Sequence, residues 1–119
     1  MKKILIIEDE QDIVEITTII LEEKGYEVSS LRDFNSYKTA INESCSDLVL
    51  LDLNLGLYRG EEICRYIKQQ THLLPLKVIL MSANSDIKEV KEEVGADGFI
   101  SKPFDIANFM HTIEKCIKE

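Results

Sequence analysis

The chain has 119 residues, enough for one domain that buries a core without disulfide or metal staples. It is 45% hydrophobic and 30% charged, the balance of a soluble globular protein, and its net charge is −8. That charge argues against a general nucleic-acid surface and against an anionic membrane, both of which require clustered Lys and Arg.

The opening MKKILIIEDE has the lysines of a signal peptide, but its apolar run, Ile4 to Ile7, is too short and acids follow at once. No apolar stretch approaches the length of a membrane span. Ile4–Ile7 reads instead as a first strand covered on both faces. Ile13, Ile16 and Ile20 then recur at helical spacing, and Gly25 is placed to end that helix. A weaker strand follows at 26–29, and Phe34, Tyr37 and Ile41 form a second helical stripe. Leu48 to Leu51 is the next buried strand, followed by a helix carrying Ile63 and Ile67 and closed by Leu74-Pro75. Val78 to Met81 is a fourth strand; Ile87, Val90 and Val94 mark a fourth helix, stopped by Gly95. Phe99-Ile100 is a fifth strand. Ile106, Phe109, Met110, Ile113, Cys116 and Ile117 give a last helix, with Asp105 as its N-cap. Strand then helix, five times over, implies an α/β fold with parallel strands, right-handed crossovers and helices on both faces. With no linker or low-complexity tract, residues 1–119 are expected to form one compact unit. Cys45, Cys64 and Cys116 lack metal-ligand spacing and are expected to be reduced thiols in a cytoplasmic protein.

Polar residues fall at the ends of the strands. Glu8-Asp9 ends the first, Asp52 the third, Ser82-Ala83 the fourth and Ser101-Lys102-Pro103 the fifth. In a parallel sheet these ends share one edge, where open α/β folds bind their ligands. Taken singly, each residue has an ordinary use: a helix cap, a turn, a solvated lysine. Together those readings need four coincidences at one edge. Three carboxylates placed close together raise one another's pKa, and a hard cation such as Mg²⁺ removes the conflict. Phosphoryl transfer to a carboxylate, with Lys102 and Ser82 stabilising the new charge, suits this set.

These residues, read as IIEDE, LLDLNLG, MSAN and ISKPF, closely resemble the receiver domain of two-component response regulators across essentially the whole chain. The resemblance implies a doubly wound, flavodoxin-like (βα)5 sandwich whose parallel sheet has the strand order 2-1-3-4-5. It implies that Asp52 is the phosphoacceptor, that Asp9 binds Mg²⁺ directly and Glu8 largely through water, and that Asn54 adds a backbone carbonyl. Ser82 would follow the phosphoryl group inward, Lys102 would bind one of its oxygens, the Lys102-Pro103 peptide would be cis, and Phe99 would be the switch aromatic. Implied partners are a sensor histidine kinase or histidine phosphotransfer protein and a downstream effector domain or protein. The face of the fourth helix, fifth strand and fifth helix would serve for output. Such a domain is a signalling phosphoacceptor and not an enzyme, works as a monomer or a phosphorylation-dependent dimer, and itself touches neither nucleic acid nor membrane.

Four departures stand out. Gly56 replaces a common Pro, which predicts a looser loop after Asp52. The interval from Ser82 to Lys102 is about two residues short, which predicts a trimmed loop or first turn of the fourth helix. Phe99 lacks the hydroxyl of a Tyr. Gly98 replaces an acid that often pairs across a dimer. Two other readings compete. A phosphohydrolase would need a second acid two residues after the nucleophile, where Asn54 stands; a pseudo-receiver would have no need of the full set of acids, hydroxyl and lysine. With Glu119 directly after the fifth helix, the sequence suits either a single-domain regulator or a receiver cut from a longer one, and Met1 at the start argues against an internal fragment of a hybrid kinase.

Overall fold

A computed structural model describes residues 2–118; Met1 and Glu119, the ends of the expected unit, lie outside the described residues. Five strands alternate with five helices: β1 (Lys3–Ile7), α1 (Gln11–Glu23), β2 (Glu27–Ser30), α2 (Tyr37–Ser44), β3 (Leu48–Asp52), α3 (Gly60–Gln69), β4 (Lys77–Ser82), α4 (Ile87–Val94), β5 (Gly98–Ser101) and α5 (Ile106–Ile117). The sheet is parallel throughout, in the order β2-β1-β3-β4-β5. This is the expected doubly wound, flavodoxin-like arrangement.

The unbroken apolar strands are explained by burial on both faces. In β3 all five residues of LVLLD are buried. Alternate side chains of a strand point to opposite faces. Leu48 and Leu50 therefore join Val14, Leu21, Phe109 and Ile113 on the α1/α5 side. Val49 and Leu51 join Ile41, Ile63, Ile67 and Val94 on the side of α2, α3 and α4. Edge strand β2 is mostly exposed, which is why its sequence signal is weak.

The buried face of α1 is turned from the expected one. Val14, Thr17, Ile20 and Leu21 are buried, while Ile16 is 49% and Ile19 58% exposed. Thr17 is tolerated inside because its hydroxyl donates to the Ile13 carbonyl at 2.6 Å. In α5, Phe109, Met110 and Ile113 of the expected face are buried and Cys116 and Ile117 half-buried, while Ile106 in the first turn is exposed. The Asp105 side chain caps that helix, accepting from the Asn108 amide at 2.7 Å.

The segment after β3 is folded, not loose. Asn54 pairs with Arg59 and Leu55 with Tyr58 in an antiparallel two-residue hairpin. Gly56 takes the first turn position with φ of 69°, where glycine is favoured in such hairpins. Residues 83–86 form only bends and turns before α4, which is itself just eight residues long.

Candidate functional site at the carboxyl edge of the sheet

Strand register brings the polar residues level. Ile7 lies opposite Leu51, Asp52 opposite Met81, and Ser82 opposite Ser101, so Glu8, Asp52, Ser82 and Lys102 emerge at one rim. The rim is held by backbone bonds: the Leu53 amide donates to the Met81 carbonyl at 3.0 Å and the Lys102 amide to the Ser82 carbonyl at 2.9 Å. The Lys102-Pro103 peptide is cis.

One ammonium ties the group together. Lys102 Nζ lies 2.9 Å from Glu8 Oε1, 3.2 Å from Asp52 Oδ1 and 3.6 Å from Glu10 Oε1. Glu8 and Asp52 are almost wholly buried, at 4% and 3% exposure, whereas Asp9 is exposed. Carboxylate oxygens of Glu8, Asp9 and Asp52 all lie within 4.8 Å of one another. Burial pushes the Glu8 carboxyl up to about 7, against the hydrogen bonds from Lys102 and the Glu10 amide. Burial also raises Asp52, although Lys102 pulls it down. Burial alone would lower Lys102, but its bonds to Glu8 and the charge of Asp52 prevail and the net shift is upward. Two buried carboxylates around one lysine leave an excess of negative charge. An all-oxygen donor set with that excess fits a hard divalent cation.

Ser82 is buried, and its Oγ accepts from the Asn84 amide at 3.0 Å, which leaves the hydroxyl hydrogen to donate elsewhere. Asn54 lines the same cleft, of about 470 Å³, together with Asp9, Asp52, Ser82 and Lys102. Phe99 stands apart: half-buried in β5, it packs against the α2–α4 side of the core and borders a separate groove of about 540 Å³ between α4 and α5. His72 and His111 are exposed and belong to neither the cleft nor the acidic cluster.

Three further residues contribute that no motif in the sequence singles out. Glu10 adds a third carboxylate near Lys102. Arg59 lines the cleft, placed there by the hairpin. Gly60 opens α3 with its backbone against the end of β3: a Cβ there would lie 2.4 Å from the Asp52 carbonyl oxygen and 2.8 Å from Leu53 Cα. A glycine at the first position of a helix, just after a predicted loop, is the only sequence signal for that contact.

The model of the response regulator receiver domain family matches residues 4–114. The chain is a response regulator receiver domain. It is 35% identical over 118 residues to the response regulator ArlR of Staphylococcus saprophyticus, covering 99% of this chain and 53% of that protein. The chain thus spans about half the length of this curated relative. Among solved structures it resembles the chemotaxis response regulator CheY4 of Vibrio cholerae, with a TM-score of 0.88 at 22% identity over 98% of both chains. It also resembles the receiver domain of the sensor histidine kinase PA1611 from Pseudomonas aeruginosa, described with magnesium coordinated in its active-site cleft. That TM-score is 0.86 at 23% identity, over 99% of this chain and 98% of the other. At these identities the structural likeness speaks for the fold. Receiver domains are signalling modules that engage histidine kinases and effector domains, not enzymes in the ordinary sense. No helix among the described residues is long and apolar enough to cross a membrane.

Proposed function

We propose that residues 1–119 act as one phosphoacceptor unit of a two-component or phosphorelay system, receiving a phosphoryl group on Asp52 from a histidine kinase or histidine phosphotransfer protein. The observation that carries this reading is the Lys102 ammonium held between Glu8 and Asp52, 2.9 and 3.2 Å away, at the mouth of a cleft that also holds Asp9 and Ser82. Glu8, Asp9 and Asp52 would hold Mg²⁺, with the Asn54 carbonyl as a further ligand. When bound, Mg²⁺ neutralises the carboxylates and draws charge from phosphoryl oxygens.

An Asp52 carboxylate oxygen attacks phosphorus as the bond to the donor's imidazole nitrogen breaks. The bonding pair returns to that nitrogen, and the product is an aspartyl phosphate. Lys102 then exchanges its Asp52 contact for a phosphoryl oxygen. Ser82 donates its hydroxyl hydrogen to another, and its inward movement opens space toward which the Phe99 ring turns. Phosphorylation in this way shifts a population toward a different surface on α4, β5 and α5, which effector domains or proteins read. The domain works in the cytoplasm as a monomer or a phosphorylation-dependent dimer, and contacts neither nucleic acid nor membrane itself.

Acetyl phosphate with Mg²⁺ tests this reading on phosphate-affinity gels. A slower band is expected in the wild type, dependent on Mg²⁺ and absent in Asp52→Ala. A band that persists in Asp52→Ala overturns the assignment. No band in any variant indicates a pseudo-receiver that works by contact alone.

A further inference from the structure

The cleft that would admit a phosphoryl donor is hostile to anions. Asp9, Glu10, Asp52 and Glu61 line it, against Lys102 and Arg59. Lys102 is already shared among three carboxylates. Arg59 is differently placed. Its only ion pair among the described residues is one 3.4 Å contact to Glu61, two residues on, and its side chain is 71% exposed. The contact is long and single and its cationic end is solvated, although the Glu61 side chain is only 18% exposed, so the guanidinium is weakly held. The hairpin fixes its origin, because the Arg59 backbone pairs with Asn54, two residues from Asp52. Its side chain makes no cap bond to α3, and its one tie to that helix is the Glu61 contact.

Resting on the phosphoacceptor reading above, we propose that Arg59 is the anion-receiving residue of this cleft: it binds the phosphoryl oxygens of the incoming donor and sets how fast anionic phosphodonors are captured. A planar guanidinium offers two parallel N–H groups to a phosphoryl group, which an ammonium cannot. With a chain charge of −8, a cation at the mouth of the site also offsets the repulsion that the donor meets on approach. With acetyl phosphate the reaction balances simply. Asp52 oxygen bonds to phosphorus, the bond from phosphorus to the acetyl oxygen breaks, and acetate leaves with the electron pair. Arg59 holds the transferred group's oxygens and exchanges no proton.

The chain has no Trp, so phosphorylation is followed by intact mass. Initial rates are compared for wild type, Arg59→Ala and Arg59→Lys with two donors: dianionic acetyl phosphate and phosphoramidate, which carries less net negative charge at neutral pH. Arg59→Ala is expected to slow capture of acetyl phosphate about threefold to tenfold at low salt, with the loss shrinking as salt is raised. The loss is expected to be smaller for phosphoramidate, and Arg59→Lys to fall between wild type and Arg59→Ala. Melting temperature should stay at the wild-type value, and Mg²⁺ affinity should not fall, since loss of a nearby positive charge can only favour a cation. Wild-type rates in Arg59→Ala, or equal losses for both donors at every salt concentration, overturn the proposal while leaving Asp52 as phosphoacceptor. A wild type that takes no phosphoryl group from either donor overturns both.

Discussion

At the scale of single residues, the site is a problem in buried charge. Glu8 and Asp52 are desolvated together, and one shared ammonium does not balance both. Without metal, Glu8 is pushed up to about 7 from its ordinary 4.5. The folded chain therefore keeps a proton there that the unfolded chain gives up. Stability linked to Glu8 is complete below about pH 4.5 and is lost as pH rises through about 7. Asp52, raised in the same direction, adds to the trend. Denaturant titrations in EDTA should find the fold weaker at pH 8 than at pH 5, by roughly 2–3 kcal/mol from Glu8. Mg²⁺ must displace that proton, so its affinity should fall as pH drops below about 7. Stability that is flat or rises across this range in EDTA would contradict the charge balance described. These residues are legible in the sequence because each ends a buried strand, where a carboxylate has no reason to be unless the rim uses it. Arg59 and Glu10 are not legible in this way, because their places depend on a hairpin and a side-chain direction that no spacing rule encodes.

At the scale of elements, strands were legible and helix faces less so. A run such as LVLL has one reading once both faces are covered. In α1, Val14 and Leu21 extend the isoleucine stripe until apolar residues cover more than half the circumference, so periodicity does not choose between the stripe at Ile13, Ile16 and Ile20 and the buried set of Val14, Thr17, Ile20 and Leu21. The hydroxyl of Thr17 hid a core position behind a polar name. Gly56 read as slack in the loop, yet it is the residue that lets the hairpin close. The junction of β3 and α3 is the tightest feature at this scale. Gly60 has no room for a methyl group against the Asp52 carbonyl. Gly60→Ala must move either the start of α3 or the end of β3, an overpacking cost of roughly 1–3 kcal/mol. Chemical denaturation should detect that loss, and Mg²⁺ affinity measured by calorimetry should weaken with it, because the displaced backbone carries Asp52. A Gly60→Ala protein with unchanged stability and Mg²⁺ affinity would show that the contact does not position the site.

At the scale of the whole molecule, a radius of gyration of 12.8 Å matches the ~13 Å expected of one compact domain of this length. Strand order was legible only through the family resemblance, since alternation of strands and helices alone leaves several right-handed arrangements open. The sheet then does one thing for function: it fixes side chains from the ends of separate strands around a single cleft. If this cleft delivers a phosphoryl group to the carboxylate of residue 52, borohydride reduction will reveal it. An acyl phosphate on Asp52 is reduced to homoserine, and peptide mapping by mass spectrometry locates the new residue. The prediction is homoserine at position 52 alone, only after treatment with phosphodonor and Mg²⁺. Homoserine at another aspartate, the longer alcohol 5-hydroxynorvaline at a glutamate, or neither in a protein that has gained a phosphoryl group, would contradict it.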